Sequence, residues 1–268
     1  MKPFKGKAAF SSSSPVSSTC RSRNWFASLC SKGKSSVCKR QTCCDNPRWL
    51  WPEALNFPGV NAPPIFQQAL RFSNSRSQLV PLGLQHVSGL LPFALDPDLW
   101  RFGRADLRTE EDLIEYVDFA IAERRAAVSY AFAIVDASTG AVVGCTRFCA
   151  FSWENDRLEI GFTWLGKPYQ RSGINRAVKY ELLRYAFEHL HIERVEFKTD
   201  SRNQASRTAL LAIGASEEGT LRSHMVNADH YRRDSVYFSI LKVEWPALKE
   251  RVFAEYAAVA QEARQPSL

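Results

Sequence analysis

Residues 158–189 read LEIGFTWLGKPYQRSGINRAVKYELLRYAFEH, and this stretch decides the fold. Residues 158–165 carry β-branched and aromatic side chains at strand spacing, and residues 176–189 have an amphipathic helical pattern. A strand that runs through a glycine-containing loop into a helix directs several backbone N–H groups at one point, where the helix dipole adds partial positive charge. The stretch therefore predicts a phosphate-binding loop over residues 168–175, with Arg171 and Arg176 at its rim.

The segments on either side alternate between strand and helix patterns. Strands are predicted at residues 78–82, 130–135, 141–151, 157–165 and 194–199, and a final hairpin at 215–225 and 232–241. Helices are predicted at residues 84–95, with a break at Pro92, from the capping-box residue Thr109 onward, at 203–213 and at 244–263. This order predicts an α/β (α+β) domain whose mixed central sheet is flanked by helices, with a parallel, right-handed step from 157–165 to 194–199.

The helix after the loop has a predicted inner and outer face. The apolar residues that we expect to face the core are Val178, Leu182, Leu183, Ala186, Phe187 and Leu190. The charged residues that we expect to face outward are Lys179, Glu181, Arg184 and Glu188.

Charge is distributed unevenly along the chain. Residues 1–60 hold 10 Lys and Arg against 2 Asp and Glu, about +8, whereas the other residues hold 35−10 = 25 basic and 28−2 = 26 acidic side chains. The globular part therefore carries no electrostatic sign of nucleic-acid binding. No apolar run approaches the roughly 20 residues that span a membrane. We predict a disordered basic tail at residues 1–63, one domain at 64–243, and a C-terminal helix and tail at 244–268.

The tail admits several interpretations. Its serine-rich, acid-poor composition also resembles an organellar transit peptide, and a mis-assigned start codon would explain it equally. Five of the seven cysteines lie there, without a nearby histidine or a CxxC pair, so we expect no metal site. Cys145 and Cys149 lie in a predicted strand and fit buried, reduced thiols. We expect a cytoplasmic protein, or an organellar one if the tail is a transit peptide.

Three motifs follow one another in an order and at spacings that are typical of one protein superfamily. Residues 158–162, LEIGF, are followed by Trp164 and Leu165, and residues 170–175 read QRSGIN. Downstream, Asn203 and Ser206 form an Asn-x-x-Ser segment that is followed by Ile-Gly-Ala at 213–215. Together the motifs resemble the GNAT acyltransferase superfamily, and within it the RimJ/RimL-like branch of ribosomal-protein N-terminal acetyltransferases. The resemblance covers about residues 79–241, and Asn175 replaces the small residue of the family loop.

The resemblance implies acetyl-CoA as co-substrate. It implies that the loop grips the pyrophosphate, that the exposed strand backbone at Trp164 and Leu165 pairs with the pantetheine arm, and that Asn203 contacts pantetheine. The implied loop residues are Gln170, Arg171, Ser172, Gly173, Ile174 and Asn175. For Asn203 an N-cap is the structural alternative, and one residue can do both.

Two residues are candidates for the chemistry. Glu159, on the central strand, is the candidate base that accepts the proton of the attacking amine, directly or through water. The alternative is a structural carboxylate that pairs with Arg157 or with another strand. By resemblance, Ser206 lies near the CoA sulfur; the alternative is a helix N-terminal serine that satisfies local backbone.

The predicted function is acetyl transfer from acetyl-CoA to a primary amine of a protein N-terminus or a small molecule, by direct attack in a ternary complex. The alternative is a non-catalytic acyl-CoA-binding or scaffold protein on the same fold. Polar residues between His224 and Arg233 weakly favour an amine or peptide acceptor. A homodimer is compatible with the sequence, whereas a membrane partner is not expected.

Overall fold

The computed structural model describes residues 63–256, so the predictions for the tail and for residues 257–268 fall outside the described residues. Within that range the helices are α1 (Pro64–Gln67), α2 (Val87–Ala94), α3 (Glu110–Arg125), α4 (Ile174–Glu188), α5 (Gln204–Ala212) and α6 (Trp245–Arg251). The strands are β1 (Phe72–Ser73), β2 (Ser77–Pro81), β3 (Tyr130–Asp136), β4 (Val142–Ser152), β5 (Arg157–Leu165), β6 (Arg194–Asp200), β7 (Ser216–Val226) and β8 (Arg232–Leu241).

One sheet contains all eight of these strands, in the order β1-β2-β3-β4-β5-β6-β8-β7. Neighbours run antiparallel except β5 and β6, which pair in parallel across the connection through α4. The predicted mixed sheet and its parallel step are therefore confirmed. Only α1 and β1 were missed, because segments of four and two residues are too short to show a period.

The sheet is covered on both faces. On one face, α4 and α6 pack onto a continuous apolar cluster that includes Phe148 of β4, Ile160 of β5 and Phe197 of β6. On the other face, α2 packs against β4 and α3 against β3. Thr109 begins α3 with the predicted capping box: its hydroxyl accepts from Asp112 N at 3.1 Å, and Asp112 Oδ2 accepts from Thr109 N at 2.9 Å.

The predicted outward face of α4 was wrong for two of its four residues. Lys179 and Glu181 are only 4% and 3% exposed. The turn before β2 covers Glu181, whose carboxylate accepts from Asn74 Nδ2 at 3.3 Å and from Arg184 Nη2 at 2.8 Å. Lys179 points toward the sheet. The buried sector of α4 is wider than its apolar stripe because the sheet and the turn before β2 enclose both of its flanks.

Two predicted helix boundaries also differ. Pro92 lies inside α2 and does not break it, because the helix is only eight residues long and ends two residues later at Ala94. The C-terminal helix was predicted as one element, but α6 ends at Arg251 and a turn at Val252 precedes the next helical residues. No helix of the described range has the length and apolar character needed to span a bilayer.

Candidate active site

A cleft opens in the sheet between β5 and β6. The two strands pair at three positions, the last of which joins Glu159 to Glu196. Beyond this pair, β5 continues along β4 as far as Leu165, and β6 continues along β8 as far as Asp200. The edge of β5 that faces β6 therefore has no strand partner over residues 160–165, where the Leu165 carbonyl accepts from a side chain, Gln170 Nε2, instead. An extended ligand can pair with such an edge as an added strand does.

A bulge in β5 accompanies the divergence. Phe162 and Thr163 together face the single residue Thr146 of β4, and Phe162 has a left-handed backbone with φ of 50°. Such a bulge bends its strand and adds local twist. The strands approach so closely here that a Cβ on Gly144 would lie 2.1 Å from the carbonyl oxygen of Trp164. Glycine at 144 is thus required for β4 to follow the bent strand.

The loop between β5 and α4 forms the mouth of the cleft. Gly173 caps α4 with a left-handed backbone, φ of 90°. Five backbone N–H groups here donate to no acceptor among the described residues; they belong to Arg171, Ser172, Gly173, Asn175 and Arg176. Free N–H groups at a helix start, with two arginines beside them, fit a pyrophosphate. The side-chain oxygen of Asn175 is buried and lacks a hydrogen-bond partner within residues 63–256.

Side chains hold this loop in shape. Gln170 Nε2 donates to the carbonyl of Leu165 at 3.1 Å, and the Ser172 hydroxyl donates to the carbonyl of Tyr169 at 2.7 Å. Arg76, from the turn before β2, donates to the carbonyl of Ser172 at 3.4 Å and pairs with Glu255 at 3.8 Å. Sequence reasoning missed Arg76, because nothing in its local pattern predicts contact with a loop 96 residues away.

Glu159 lies at the closed end of the cleft, on the face opposite α4. It is 4% exposed, and its Oε2 accepts from Lys198 Nζ of β6 at 2.7 Å. Burial opposes the charge on Lys198, but the Glu159 carboxylate outweighs it, so the pKa of Lys198 is raised. Arg157 pairs with Glu196 instead, at 3.2 Å. The structure therefore contains the alternative that the sequence allowed, in which the Glu159 carboxylate pairs with a residue of another strand. The role of Glu159 as the base stays a prediction.

Asn203 and Ser206 lie at the start of α5, just beyond β6. Parallel strands carry their carboxyl ends to one edge of a sheet, so this helix start and the loop after β5 lie at the same edge. Asn203 is the N-cap of α5, since its Oδ1 accepts from Ser206 N at 3.0 Å. The Ser206 hydroxyl has no hydrogen-bond partner in the described part of the chain, so it is available to a ligand.

The face opposite α4 combines aromatic and cationic groups near Glu159. Phe162, 38% exposed, stacks over the guanidinium of Arg147, with 4.2 Å from the ring centre to Cζ. Arg147 is 1% exposed and pairs with Glu123 of α3 at 2.6 Å. His224 of β7 lies against Tyr237, and burial together with nearby Lys198 and Arg233 lowers its pKa. This face can receive an acceptor beside the cleft.

Lys179 is the functional candidate that sequence reasoning placed on the wrong side of the helix. Its Nζ donates to Thr163 Oγ1 at 2.8 Å, and Thr163 Oγ1 lies 2.8 Å from Thr146 Oγ1. Burial lowers the pKa of the Lys179 amine to about 7. A signal existed, since Lys179 precedes Leu182 by three residues and Leu183 by four, which puts it on the buried stripe.

Comparisons with known proteins agree with this geometry. Residues 76–216 match the acetyltransferase (GNAT) domain family. The crystal structure of a putative acetyltransferase from T. thermophilus is 39% identical, with a TM-score of 0.63, and the match covers 69% of this chain and 95% of that one. The chain therefore belongs to the GNAT family and is an acyltransferase.

Two curated proteins are also similar to this chain. "Putative ribosomal N-acetyltransferase YdaF" of Bacillus subtilis (strain 168) is 36% identical over 111 residues, which are 41% of this chain and 59% of that protein. "Uncharacterized N-acetyltransferase p20" of Bacillus licheniformis is 27% identical over 174 residues, 63% of this chain and 95% of that protein. The match to YdaF thus spans less than two thirds of that relative's length. The similarity to RimJ/RimL-like enzymes expected from the motifs is confirmed.

Proposed function

We propose that the protein transfers the acetyl group of acetyl-CoA to a primary amine, by direct attack of the amine within a ternary complex. One observation carries this proposal: β5 and β6 part after Glu159, and the free edge of β5 leads from there to five free N–H groups at the start of α4. The cleft thus joins a phosphate-binding mouth to a buried carboxylate. Acetyl-CoA supplies an activated acyl group when bound.

The residues of this chain divide the task. The loop residues Gln170, Arg171, Ser172, Gly173, Ile174 and Asn175 bind the pyrophosphate, the backbone at Trp164 and Leu165 orients the pantetheine arm, and Asn203 borders it. The carboxylate of Glu159 receives the proton that the amine loses on attack, directly or through water. The Ser206 hydroxyl lies beside the sulfur. Holding the two substrates together supplies much of the rate enhancement.

The class of acceptor is supported first by a named relative and then by the surface beside the cleft. The relative YdaF is named a ribosomal N-acetyltransferase, which supports the N-terminus of a protein as acceptor, while a small-molecule amine remains the second class. The aromatic surface of Phe162 and the exposed rim around His224 support a peptide that lies across the sheet.

Binding and turnover test the proposal separately. We expect acetyl-CoA to raise the melting temperature of the protein, and CoA to be released when peptides with free N-termini or small amines are added. Acetylated products are identified by mass spectrometry. Stabilisation without turnover on any amine would instead support a non-catalytic acyl-CoA-binding protein, and no thermal shift at all would contradict both.

A further inference from the structure

Lys179 lies beneath the cleft between β5 and β6. Its Nζ is 2.8 Å from Thr163 Oγ1 of β5 and 5.6 Å from the ring centre of Phe197 of β6, so the amine bridges the gap from the α4 side. Thr163 is its only hydrogen-bond partner in the described range, and no carboxylate of that range lies within 4.0 Å. Lys179 therefore forms the floor of the cleft.

A lysine in this position does not serve stability. An ammonium group that is removed from water needs a paired charge or a full set of acceptors, and Lys179 has one neutral hydroxyl. An apolar side chain of similar length would fill the same space without that cost. The position of the amine, rather than its packing, therefore calls for an explanation.

Thr163 lies where the reactive end of the pantetheine arm is expected. An arm that starts at the loop and runs inward along the free edge of β5 passes Leu165 and Trp164 before it reaches Thr163. The bulge at Phe162 and Thr163 turns the Thr163 side chain toward α4. Thr163 Oγ1 lies 2.8 Å from Thr146 Oγ1, and it donates over a long 3.4 Å to the carbonyl of Gly161 on the same strand, a contact that a bound sulfur would have to replace.

We propose that Lys179 supplies, through the hydroxyl of Thr163, the proton that the CoA sulfur takes up when the acetyl group leaves it. This inference rests on the proposed use of acetyl-CoA. Thr163 contacts the sulfur, and Lys179 is a positioning residue that acts only through Thr163. A hydroxyl alone is a weak acid, whereas a hydroxyl that receives a hydrogen bond from an ammonium can pass its proton on and be reprotonated at once.

The step conserves atoms and charge. The amine nitrogen forms the new carbon–nitrogen bond and loses a proton to Glu159 or water. The carbon–sulfur bond breaks, and its electron pair goes to sulfur. Thr163 gives its hydroxyl proton to that sulfur and takes one from Lys179. Lys179 is left as a neutral amine and regains a proton from solvent after the products leave.

The environment of Lys179 supports a proton donor that can be reprotonated after each turnover. Burial lowers the pKa of the Lys179 amine to about 7, and the carboxylate of Glu159 acts more weakly in the opposite direction. Burial raises the pKa of Cys149, so this thiol stays neutral. Lys198 of β6, on the other side of Glu159, is already paired with that carboxylate. Lys179 thus exchanges its proton near neutral pH.

The first experiment needs no turnover. The Lys179 amine is followed by NMR in protein labelled at lysine, with Lys179→Met for assignment, in the free protein and with CoA or desulfo-CoA, in which hydrogen replaces the thiol. We expect Lys179 to titrate well below an ordinary lysine, and its signal to differ between the two complexes because only CoA brings a sulfur to Thr163. If both ligands bind and the Lys179 signal responds to them identically, the role inferred for Lys179 is wrong while the proposed use of acetyl-CoA stands. If neither ligand binds, the proposed function itself fails.

The second experiment measures the pH dependence of kcat. In the wild type we expect kcat to fall tenfold per pH unit above the pKa of Lys179, because the donor loses its proton. Lys179→Met and Thr163→Val should each lower kcat at pH 7 by about 100-fold and abolish this alkaline limb, with no further loss in the double variant.

Rescue and a remote control complete the test. Thr163→Ser, which keeps a hydroxyl, should recover most of the kcat that Thr163→Val loses. Lys249→Met, which removes a lysine paired with Glu188 far from the cleft, should leave kcat and its pH profile unchanged. An alkaline limb that persists in Lys179→Met would overturn the inference. So would acetylation of Lys179 itself by acetyl-CoA, because the amine would then face the carbonyl carbon and not the sulfur.

Discussion

At the scale of single residues, the carboxylate of Glu159 forms an ion pair and, by our proposal, also accepts the proton of the attacking amine. Its Oε2 is held by Lys198 at 2.7 Å, whereas Oε1 points along β5 toward Gly161, where a Cβ would lie only 2.8 Å from it. Glycine at 161 therefore leaves room for this oxygen at the closed end of the cleft. One oxygen is fixed by the ion pair, and the other is the one that we propose accepts the proton.

We expect Glu159→Gln to lower kcat by about 100-fold or more, because an amide of the same shape cannot accept the proton of the amine. The affinity for acetyl-CoA should not change, since the loop and the edge of β5 stay intact. Steady-state kinetics with calorimetric measurement of acetyl-CoA binding check both values.

Lys198→Met is the matched variant, because it removes the ion pair and keeps the carboxylate. Its fold reduction in kcat should be at least ten times smaller than that of Glu159→Gln, a difference of about 1.4 kcal/mol or more in transition-state stabilisation. Equal losses of kcat in the two variants would mean that Glu159 acts only as a structural partner of Lys198.

We expect the chemical role proposed for Ser206 to be separable from the capping role of Asn203, although both residues lie within one helical turn. Ser206→Ala should reduce kcat and leave the free energy of unfolding unchanged, since its hydroxyl makes no hydrogen bond to another group of residues 63–256. Asn203→Ala should cost about 1 kcal/mol of stability, because it removes the N-cap bond to Ser206 N. Urea denaturation and initial rates measure the two effects. A destabilised Ser206→Ala would contradict this division.

At the scale of elements, the sequence predicted the bounds of β5 without error and the start of α4 within two residues. Strand alternation, the glycine of the loop and the helical period are local signals, which is why they suffice. The divergence after Glu159, the bulge at Phe162 and the partner of Glu159 could not be read in the same way. Each depends on residues far along the chain, which local patterns do not encode.

The burial of Lys179 shows the same limit. Helical spacing placed it near the apolar stripe of α4, but the charge of a lysine predicted an outward position. The open cleft above it decided otherwise, because a gap between β5 and β6 leaves space for a long side chain beneath the sheet. Charge predicts exposure only where the fold offers no polar interior.

The loop between β5 and α4 yields a prediction with an internal control. Gly173 and Gly140 both have left-handed backbones, with φ of 90° and 73°, and a Cβ on either would meet no atom closer than ordinary contact. Alanine at either position should therefore cost about 1 kcal/mol of stability from backbone strain. Only Gly173→Ala should weaken acetyl-CoA binding, because only that strain distorts the N–H groups that we propose hold the pyrophosphate.

Thermal unfolding and calorimetry distinguish these outcomes. The two variants should melt at similar temperatures, both below the wild type, and their dissociation constants for acetyl-CoA should differ by tenfold or more. A Gly173→Ala protein that binds acetyl-CoA as tightly as Gly140→Ala does would show that the loop does not grip the ligand.

At the scale of the whole molecule, the cleft interrupts a sheet that is otherwise continuous from β1 to β7. The backbone groups along the free edge of β5 and the amine of Lys179 are polar atoms that the fold leaves incompletely paired. Leaving such groups unsatisfied in the interior lowers stability. The fold offsets this with the apolar cluster under α4 and α6, and the site is therefore the place where stability and activity oppose each other.

The cost of burying Lys179 can be measured, because it makes the free energy of unfolding depend on pH. In the unfolded chain its pKa is that of an ordinary lysine, 10.5, and in the folded protein it is about 7. Below pH 7 both states hold the proton and the folded state bears the full cost of the buried charge. Between about pH 7 and 10.5 the unfolded state binds more protons, so the contribution of Lys179 to the free energy of unfolding rises with pH, by up to about 1.4 kcal/mol per unit.

We therefore expect Lys179→Met to be more stable than the wild type at pH 7, and this advantage to shrink as the pH is raised toward 9. Urea denaturation of both proteins in steps from about pH 7 to about pH 9 measures the gap, and groups common to the two proteins, such as Cys145, cancel in the difference. A difference in stability that stays constant with pH would mean that Lys179 keeps its proton in the folded protein throughout. A variant that is less stable than the wild type would mean that the amine stabilises the fold at the cleft.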